Sequence, residues 1–233
     1  MIPLLIVRAD PADRELLSRI ARHLERGGLL GYPTETVYGL GAAATVDGTD
    51  ALRKLKGRRD DKPFLVLLPD GDKDTGIRGG KDLAGASGVW DAGLQWTAPA
   101  RELASAFWPG PLTLVLSDSE GRYPPGVRST SGGVAVRVSS NPFVAALLEV
   151  WDAPLLSTSA NRPGGAPARS AREVERAVQG RPGLDRFWIA DGGPLPASDP
   201  STVIDCTDPR PRLLRVGAVS AEEVAKVLSH LHG

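Results

Sequence analysis

Short apolar runs of strand length alternate with helix-length segments along almost the whole chain. That alternation constrains the fold more than any other feature of the sequence. The runs are Ile2–Val7, Leu29–Tyr32, Val37–Ala44, Phe64–Leu68, Leu112–Leu116, Val134–Val138, Leu155–Ser159, Phe187–Ala190, Thr202–Cys206 and Leu213–Val216, short enough to read as strands rather than helices. Between them lie stretches of helical period. Asp10 stands where it can cap a helix with Pro11 in its first turn; Leu16, Leu17, Ile20, Ala21 and Leu24 would form its apolar face, and Gly27-Gly28 stops it. Further helices are expected at Asp50–Lys56, at Pro99–Phe107, after the cap Asn141, from Ser170 to about Val178, and from a Ser220/Glu223 capping box to about Leu231. Interleaved elements of this kind define an α/β fold. Strands that follow one another directly require a sheet mixed in direction rather than wholly parallel.

At 233 residues, with no charge run or low-complexity linker, the chain reads as a single domain over 1–233. Pro69–Gln95 is rich in Gly and Asp and has no period, so a surface excursion with a flexible insertion at about 70–95 is expected there. Lys+Arg and Asp+Glu both number 28, and a neutral chain has no overall field for broad nucleic-acid binding, although a local basic patch remains open to it. Cys206 is the single cysteine, which leaves no internal disulfide and no CxxC for zinc. The N-terminal apolar run is too short and too acidic in its sequel for a signal segment, and no run approaches the ~20 apolar residues that span a bilayer. A soluble, cytoplasmic protein is expected. Histidine occurs only at 23, 230 and 232, which argues against a Ser-His-Asp triad or a multi-histidine metal site. Any chemistry rests on Lys, Arg, hydroxyl and amide groups.

Four segments bring such groups together. Pro33-Thr34-Glu35-Thr36-Val37-Tyr38-Gly39-Leu40-Gly41 crowds two hydroxyls, a carboxylate and a phenol into one strand-to-strand connection, with glycines that would let a ligand approach the backbone. A tight turn held by Ser/Thr hydrogen bonds accounts for the same residues. Six cations fall within Arg53–Lys62; Lys56 and Arg58, spaced by Gly57, could face one polyphosphate, or the cluster could be a solvated helix end. Ser157-Thr158-Ser159-Ala160-Asn161 ends an apolar strand ahead of a glycine-rich loop, a place where α/β sheets often hold ligands. Arg137 interrupts the alternating Val134, Val136 and Val138, and Ser201 and Arg215 occupy similar places on late strands, Arg215 among neighbours that read as buried. For each of these three an exposed strand position is the default.

In order and spacing these segments resemble the YrdC/TsaC family. The resemblance is carried by Pro33–Gly41, Lys56-Gly57-Arg58, Trp108–Thr113, Ser159-Ala160-Asn161, Ser201–Asp205 and Leu214–Gly217, and runs from Leu16 to Leu228. It implies a three-layer α/β domain, a twisted mixed parallel/antiparallel sheet with a concave cleft. It also implies condensation of L-threonine, bicarbonate and ATP, with Mg²⁺, into threonylcarbamoyl-AMP and pyrophosphate, which downstream transfer proteins use to modify adenosine in tRNA. By the same resemblance Lys56, Arg58, Ser159 and Asn161 carry the chemistry. Lys56, Arg58, Lys62, Asn161 and Arg215 hold ATP, and Thr34, Arg137 and Ser201 orient threonine; no metal ligands are assigned. Tyr38 and Glu35 are candidates for a base. The chain departs from the family pattern at Lys62, where an Asn is usual, at Leu67, where a His is usual, and at Arg128 and Gly133, where Thr is frequent. Two other readings stand beside the synthase: an RNA-binding paralogue without synthesis, motivated by the basic cluster and Leu67, and carbamoyl transfer as in the related domain of hydrogenase-maturation proteins. The latter ranks last because the chain lacks extra domains and zinc-type cysteines.

Overall fold

The computed structural model describes residues 5–57, 62–70 and 93–229. In chain order its elements are β1 (Leu5–Arg8), α1 (Arg14–Glu25), β2 (Leu29–Pro33), β3 (Tyr38–Ala43), α2 (Val46–Lys56), β4 (Leu65–Leu67), α3 (Ala98–Phe107), β5 (Leu112–Ser117), β6 (Gly133–Arg137), α4 (Pro142–Trp151), β7 (Leu155–Ser159), α5 (Ala171–Val178), β8 (Phe187–Asp191), β9 (Thr202–Asp205), β10 (Arg212–Arg215) and α6 (Ala221–Ser229). The strands make one sheet in the order β1-β8-β2-β3-β7-β4-β6-β5-β9-β10. Pairing is parallel at β1–β8, β2–β8, β4–β6 and β5–β9, and antiparallel at β2–β3, β3–β7, β4–β7, β5–β6 and β9–β10. The mixed sheet expected from the sequence is present.

Side chains alternate across a strand, so each strand divides its residues between two faces. One face carries Leu29, Tyr38, Leu40, Leu156, Val134, Val136, Leu112, Leu114 and Ile204. It is buried with Leu52 and Leu55 of α2, Leu103 of α3, Val174 and Val178 of α5 and Val224 of α6. The other face is covered at β2 and β3 by α1 and α4, which contribute Leu17, Ile20, Leu24, Phe143, Val144 and Leu147 against Leu30, Tyr32, Leu67 and Leu155. Further along that second face, on β6, β5 and β9, the alternate positions are Ala135, Arg137, Thr113 and Val203, and these line an open hollow instead of a helix interface. The fold thus has two full layers and a third that stops half way, and the concavity is the place where it stops.

Several boundaries differ from the sequence expectation. Asp10 does not cap α1: it accepts from Ala12 N within a preceding turn, while Asp13 Oδ1 accepts from Leu16 N and is the cap. Both are acids ahead of the same apolar face, and Pro11 favours the tight turn that separates them. Helix α2 starts four residues early, at Val46, because Thr45 caps it and outweighs the weak helix formers Val46, Gly48 and Thr49. The capping box at Ser220/Glu223 forms as read, with reciprocal bonds of 2.8 and 3.2 Å. Strand β10 pairs only β9 and is exposed along its length, with Leu213, Leu214 and Val216 at 42, 57 and 56%. The burial expected around Arg215 is therefore absent. The Pro69–Gln95 excursion falls mostly outside the described residues; Gln95 itself bridges to Ser117.

Candidate active site

The hollow has a volume of about 380 Å³ and is lined by the β2–β3 turn, the N-terminal end of β4, and β5, β6, β7, β9 and β10, a size in the range of small-molecule sites. Arg137, Ser201, Arg215, Ser159 and Thr34 all border it. The default of an exposed strand position fails for Arg137 and Ser201, which are only 4 and 6% exposed. Arg137 ends β6. Its Nε donates to Gly110 O at 3.2 Å, its Nη2 pairs with Glu35 Oε1, and Ser139 Oγ donates to Glu35 Oε2 at 2.5 Å.

On the β9–β10 wall Ser201 Oγ shares a hydrogen bond of 2.9 Å with Thr113 Oγ1. Although β10 is exposed, the Arg215 guanidinium folds back: Nη2 reaches Ser201 O at 2.7 Å and Ser201 Oγ at 3.3 Å, and Nε reaches Ser201 O at 3.1 Å. Partial burial, and then the charge of Arg137, lowers the Arg215 pKa from its ordinary value. Two guanidiniums that feel one another in a partly dry hollow favour an anion between them. Gly217 permits this wall to close, since a Cβ there would sit 2.0 Å from Pro200 O and 2.9 Å from Ser201 O.

At the β2–β3 turn Thr34 borders the hollow but spends its hydroxyl locally. Oγ1 donates to Val37 O at 2.6 Å and accepts from Thr36 N and Val37 N, both at 3.2 Å. The hydrogen-bonded turn expected from the sequence forms here, and the same turn aims Glu35 at Arg137. Gly39 and Gly41 make room for a protein ring rather than only for a ligand: a Cβ would stand 3.0 Å from Tyr32 Cζ at Gly39 and 2.8 Å from Tyr32 Cε1 at Gly41. The Tyr32 hydroxyl donates to Ser157 Oγ at 2.7 Å, beneath the hollow.

The Ser159–Asn161 segment at the end of β7 is organised around Lys56. The ammonium at the C-terminal end of α2 donates to Ser159 O at 2.6 Å, to Asn161 O at 2.9 Å, and to Asn161 Oδ1. Asn161 Oδ1 also accepts from Ser159 Oγ at 2.7 Å, and its Nδ2 donates to Arg162 O and Gly165 O. Lys56 and Asn161 therefore stand behind the rim and shape it, while Ser159 lines the hollow. Lys62 is exposed beside Pro63, which does line it. Arg58 lies outside the described residues.

Neither candidate base is placed to serve. The Tyr38 hydroxyl donates to Gly193 O at 2.7 Å and accepts from Gly192 N at 3.0 Å, away from the hollow, and burial pushes its pKa up to about 12. Glu35 is committed to Arg137 and Ser139. Leu67, where the family pattern has a polar residue, packs in the α1/α4 core at 1% exposure; the apolar side chain on β4 that borders the hollow is Leu65. Thr113 and Ser157 stand in segments singled out by sequence, yet only the strand period assigns them to the open face. Among the described residues no group of three or more His, Cys, Asp or Glu is placed to hold a metal ion. No helix among them is long and apolar enough to cross a membrane.

An α/β cleft with two guanidiniums and a ring of hydroxyls is a site for a small, polar, anionic ligand. The chain belongs to the Sua5/YciO/YrdC family, whose model, described as telomere recombination, matches residues 22–217. A threonylcarbamoyl-AMP synthase of Bacillus subtilis is 33% identical over 93% of this chain and 57% of its own length, and one of Chromohalobacter salexigens is 38% identical over 84% of this chain and 94% of its own. The structure of Sua5 from Pyrococcus abyssi complexed with L-threonine superposes with a TM-score of 0.78 at 31% identity, covering 97% of this chain and 61% of that one. The chain spans about three fifths of the B. subtilis and P. abyssi proteins.

Proposed function

We propose that this chain is a threonylcarbamoyl-AMP synthase. It would join L-threonine, bicarbonate and ATP, with Mg²⁺ on the nucleotide, and release pyrophosphate and water. The observation that carries this reading is the convergence of Arg137, Ser201 and Arg215 with Ser157 and Ser159 in one hollow. Kinship with proteins named for this activity, and with one solved with L-threonine, supports it.

The threonine amine adds to bicarbonate to give a carbamate with loss of water. A carbamate oxygen then attacks the α-phosphorus, and the bond to pyrophosphate breaks. The nucleophile belongs to the substrate, so the protein's task is to position and to stabilise charge. Arg137 receives the threonine carboxylate, with Ser201, Thr113 and Thr34 around it. Arg215 and Ser159 face the nucleotide, and Lys56 and Asn161 hold the loop that presents Ser159. Arg58 is proposed on the phosphate side from the family pattern, and Lys62 from its place in the same basic cluster. The product would pass to proteins that transfer the threonylcarbamoyl group to tRNA.

The test is product formation with each substrate omitted in turn, in wild type and in Arg137→Ala. Threonine- and bicarbonate-dependent product lost in the variant supports the reading. A folded protein that makes none with any amino acid, and instead binds tRNA with a steep salt dependence, overturns it in favour of an RNA-binding role.

A further inference from the structure

We infer that Glu35 is the positioning residue of the amino-acid subsite, fixing both the direction and the net charge of the guanidinium that receives the substrate carboxylate; this rests on the synthase reading above. Arg137 is 4% exposed, on a strand otherwise made of Gly, Val and Ala. A cation so buried requires a partner. Glu35 reaches it from the β2–β3 turn, more than a hundred residues away in sequence, and is itself held at both oxygens, one by Arg137 Nη2 and the other by Ser139 Oγ at 2.5 Å. Ser139 is 3% exposed and its Oγ also accepts from Asn141 N at 3.2 Å, so the clamp is tied to the start of α4. On its other side Arg137 Nε is taken by Gly110 O. These contacts occupy Nε and one Nη2 hydrogen. The remaining N–H groups are the ones left for the hollow that Arg137 lines, and a planar guanidinium pinned at two points presents them in a fixed plane suited to a carboxylate.

The charge follows from the same contacts. Arg137 and Arg215 line the same hollow, and Glu35 pairs with Arg137 and neutralises it. Among the described residues that line the hollow, this leaves a single unbalanced positive charge, matched to one carboxylate and a poor trap for free phosphate. Losing the Glu35 charge would both release the guanidinium and leave two cations unbalanced.

The test compares wild type with Glu35→Gln and Ser139→Ala by steady-state kinetics and by direct titration with L-threonine. For Glu35→Gln the KM and Kd for L-threonine rise about 10-fold, the loss of one charge-assisted contact. The KM for ATP and kcat stay within about threefold. Inorganic phosphate competes with threonine more strongly than in wild type, an effect that a merely loosened structure does not produce. If Glu35→Gln does not fold, Ser139→Ala, which keeps the ion pair and frees one carboxylate oxygen, is expected to raise the threonine KM about threefold. Unchanged threonine affinity and unchanged phosphate competition in a folded Glu35→Gln, or an unchanged threonine KM in Ser139→Ala where Glu35→Gln does not fold, overturns the inference while leaving the synthase reading intact. A wild type that neither binds threonine nor forms product overturns both.

Discussion

Ser201 joins three parts of the site: its hydroxyl bonds Thr113 Oγ1, and both its oxygens meet Arg215. Ser201→Ala is expected to raise the threonine KM about 3- to 10-fold with little change in the melting point, as for one hydrogen bond to a polar ligand, measured by steady-state kinetics. Lys56→Met is expected to act differently. It keeps the apolar stem but takes the ammonium donor from the Ser159 and Asn161 carbonyls and leaves Asn161 Oδ1 only its bond from Ser159 Oγ, which costs about 2–4 kcal/mol in urea denaturation together with lost activity. A variant as stable as wild type would show that the ammonium does not hold the loop. Thr34, Arg137, Ser159, Ser201 and Arg215, which border the hollow, all lie in segments that stand out in sequence, because hydroxyls and arginines interrupt short apolar strands there. Their contacts were not legible. Lys56 read as a phosphate ligand, and Arg137 by default as solvent-exposed. Spacing along the chain does not show that Lys56 meets β7, or that Glu35 reaches across to cover the Arg137 charge.

At the scale of elements, α5 is short and amphipathic, and Ser170 Oγ caps it by accepting from Glu173 N at 3.3 Å. Ser170→Ala is expected to cost about 1 kcal/mol by chemical denaturation, with the threonine KM unchanged. The elements were readable where one periodic signal dominated, as in α1, α4 and the capping box of α6. They were misplaced where signals competed. Asp10 and Asp13 both resemble a cap, and Thr45 starts α2 on residues that disfavour helix. An apolar strand such as β10 looks the same in sequence at an exposed edge as in the middle of a sheet, and only the strand order separates the two cases. The polar positions of β5 and β6 are explained by the same order, since they face the half of the sheet that α1 and α4 leave open.

Acid stability is a property of the whole molecule that this packing sets. His23 on α1 stacks on Trp188 of β8, with ring centroids 4.2 Å apart, and donates to Leu29 O at 3.2 Å. Burial lowers its pKa from the ordinary value, outweighing that hydrogen bond. A depressed imidazole favours the neutral form in the fold. Its contribution is therefore complete above the unfolded value near 6.5 and is lost as pH falls through the lower folded value. The melting point is expected to drop between about pH 7 and pH 5, and to drop less in His23→Phe, which keeps the stacked ring without the titration. An equal drop in both would place the acid sensitivity elsewhere.

One assay reads what the open half-face of the sheet does. Purified protein is incubated with ATP, Mg²⁺, bicarbonate and L-threonine, and pyrophosphate and any new nucleotide are followed together by chromatography. A threonylcarbamoyl-AMP synthase gives both in equal amounts, neither when threonine or bicarbonate is omitted, and at least about 100-fold less with Arg137→Ala, which removes the proposed substrate contact together with the buried pairing to Glu35. Pyrophosphate release that ignores threonine, or a folded, ATP-binding protein that forms no new nucleotide, would contradict it.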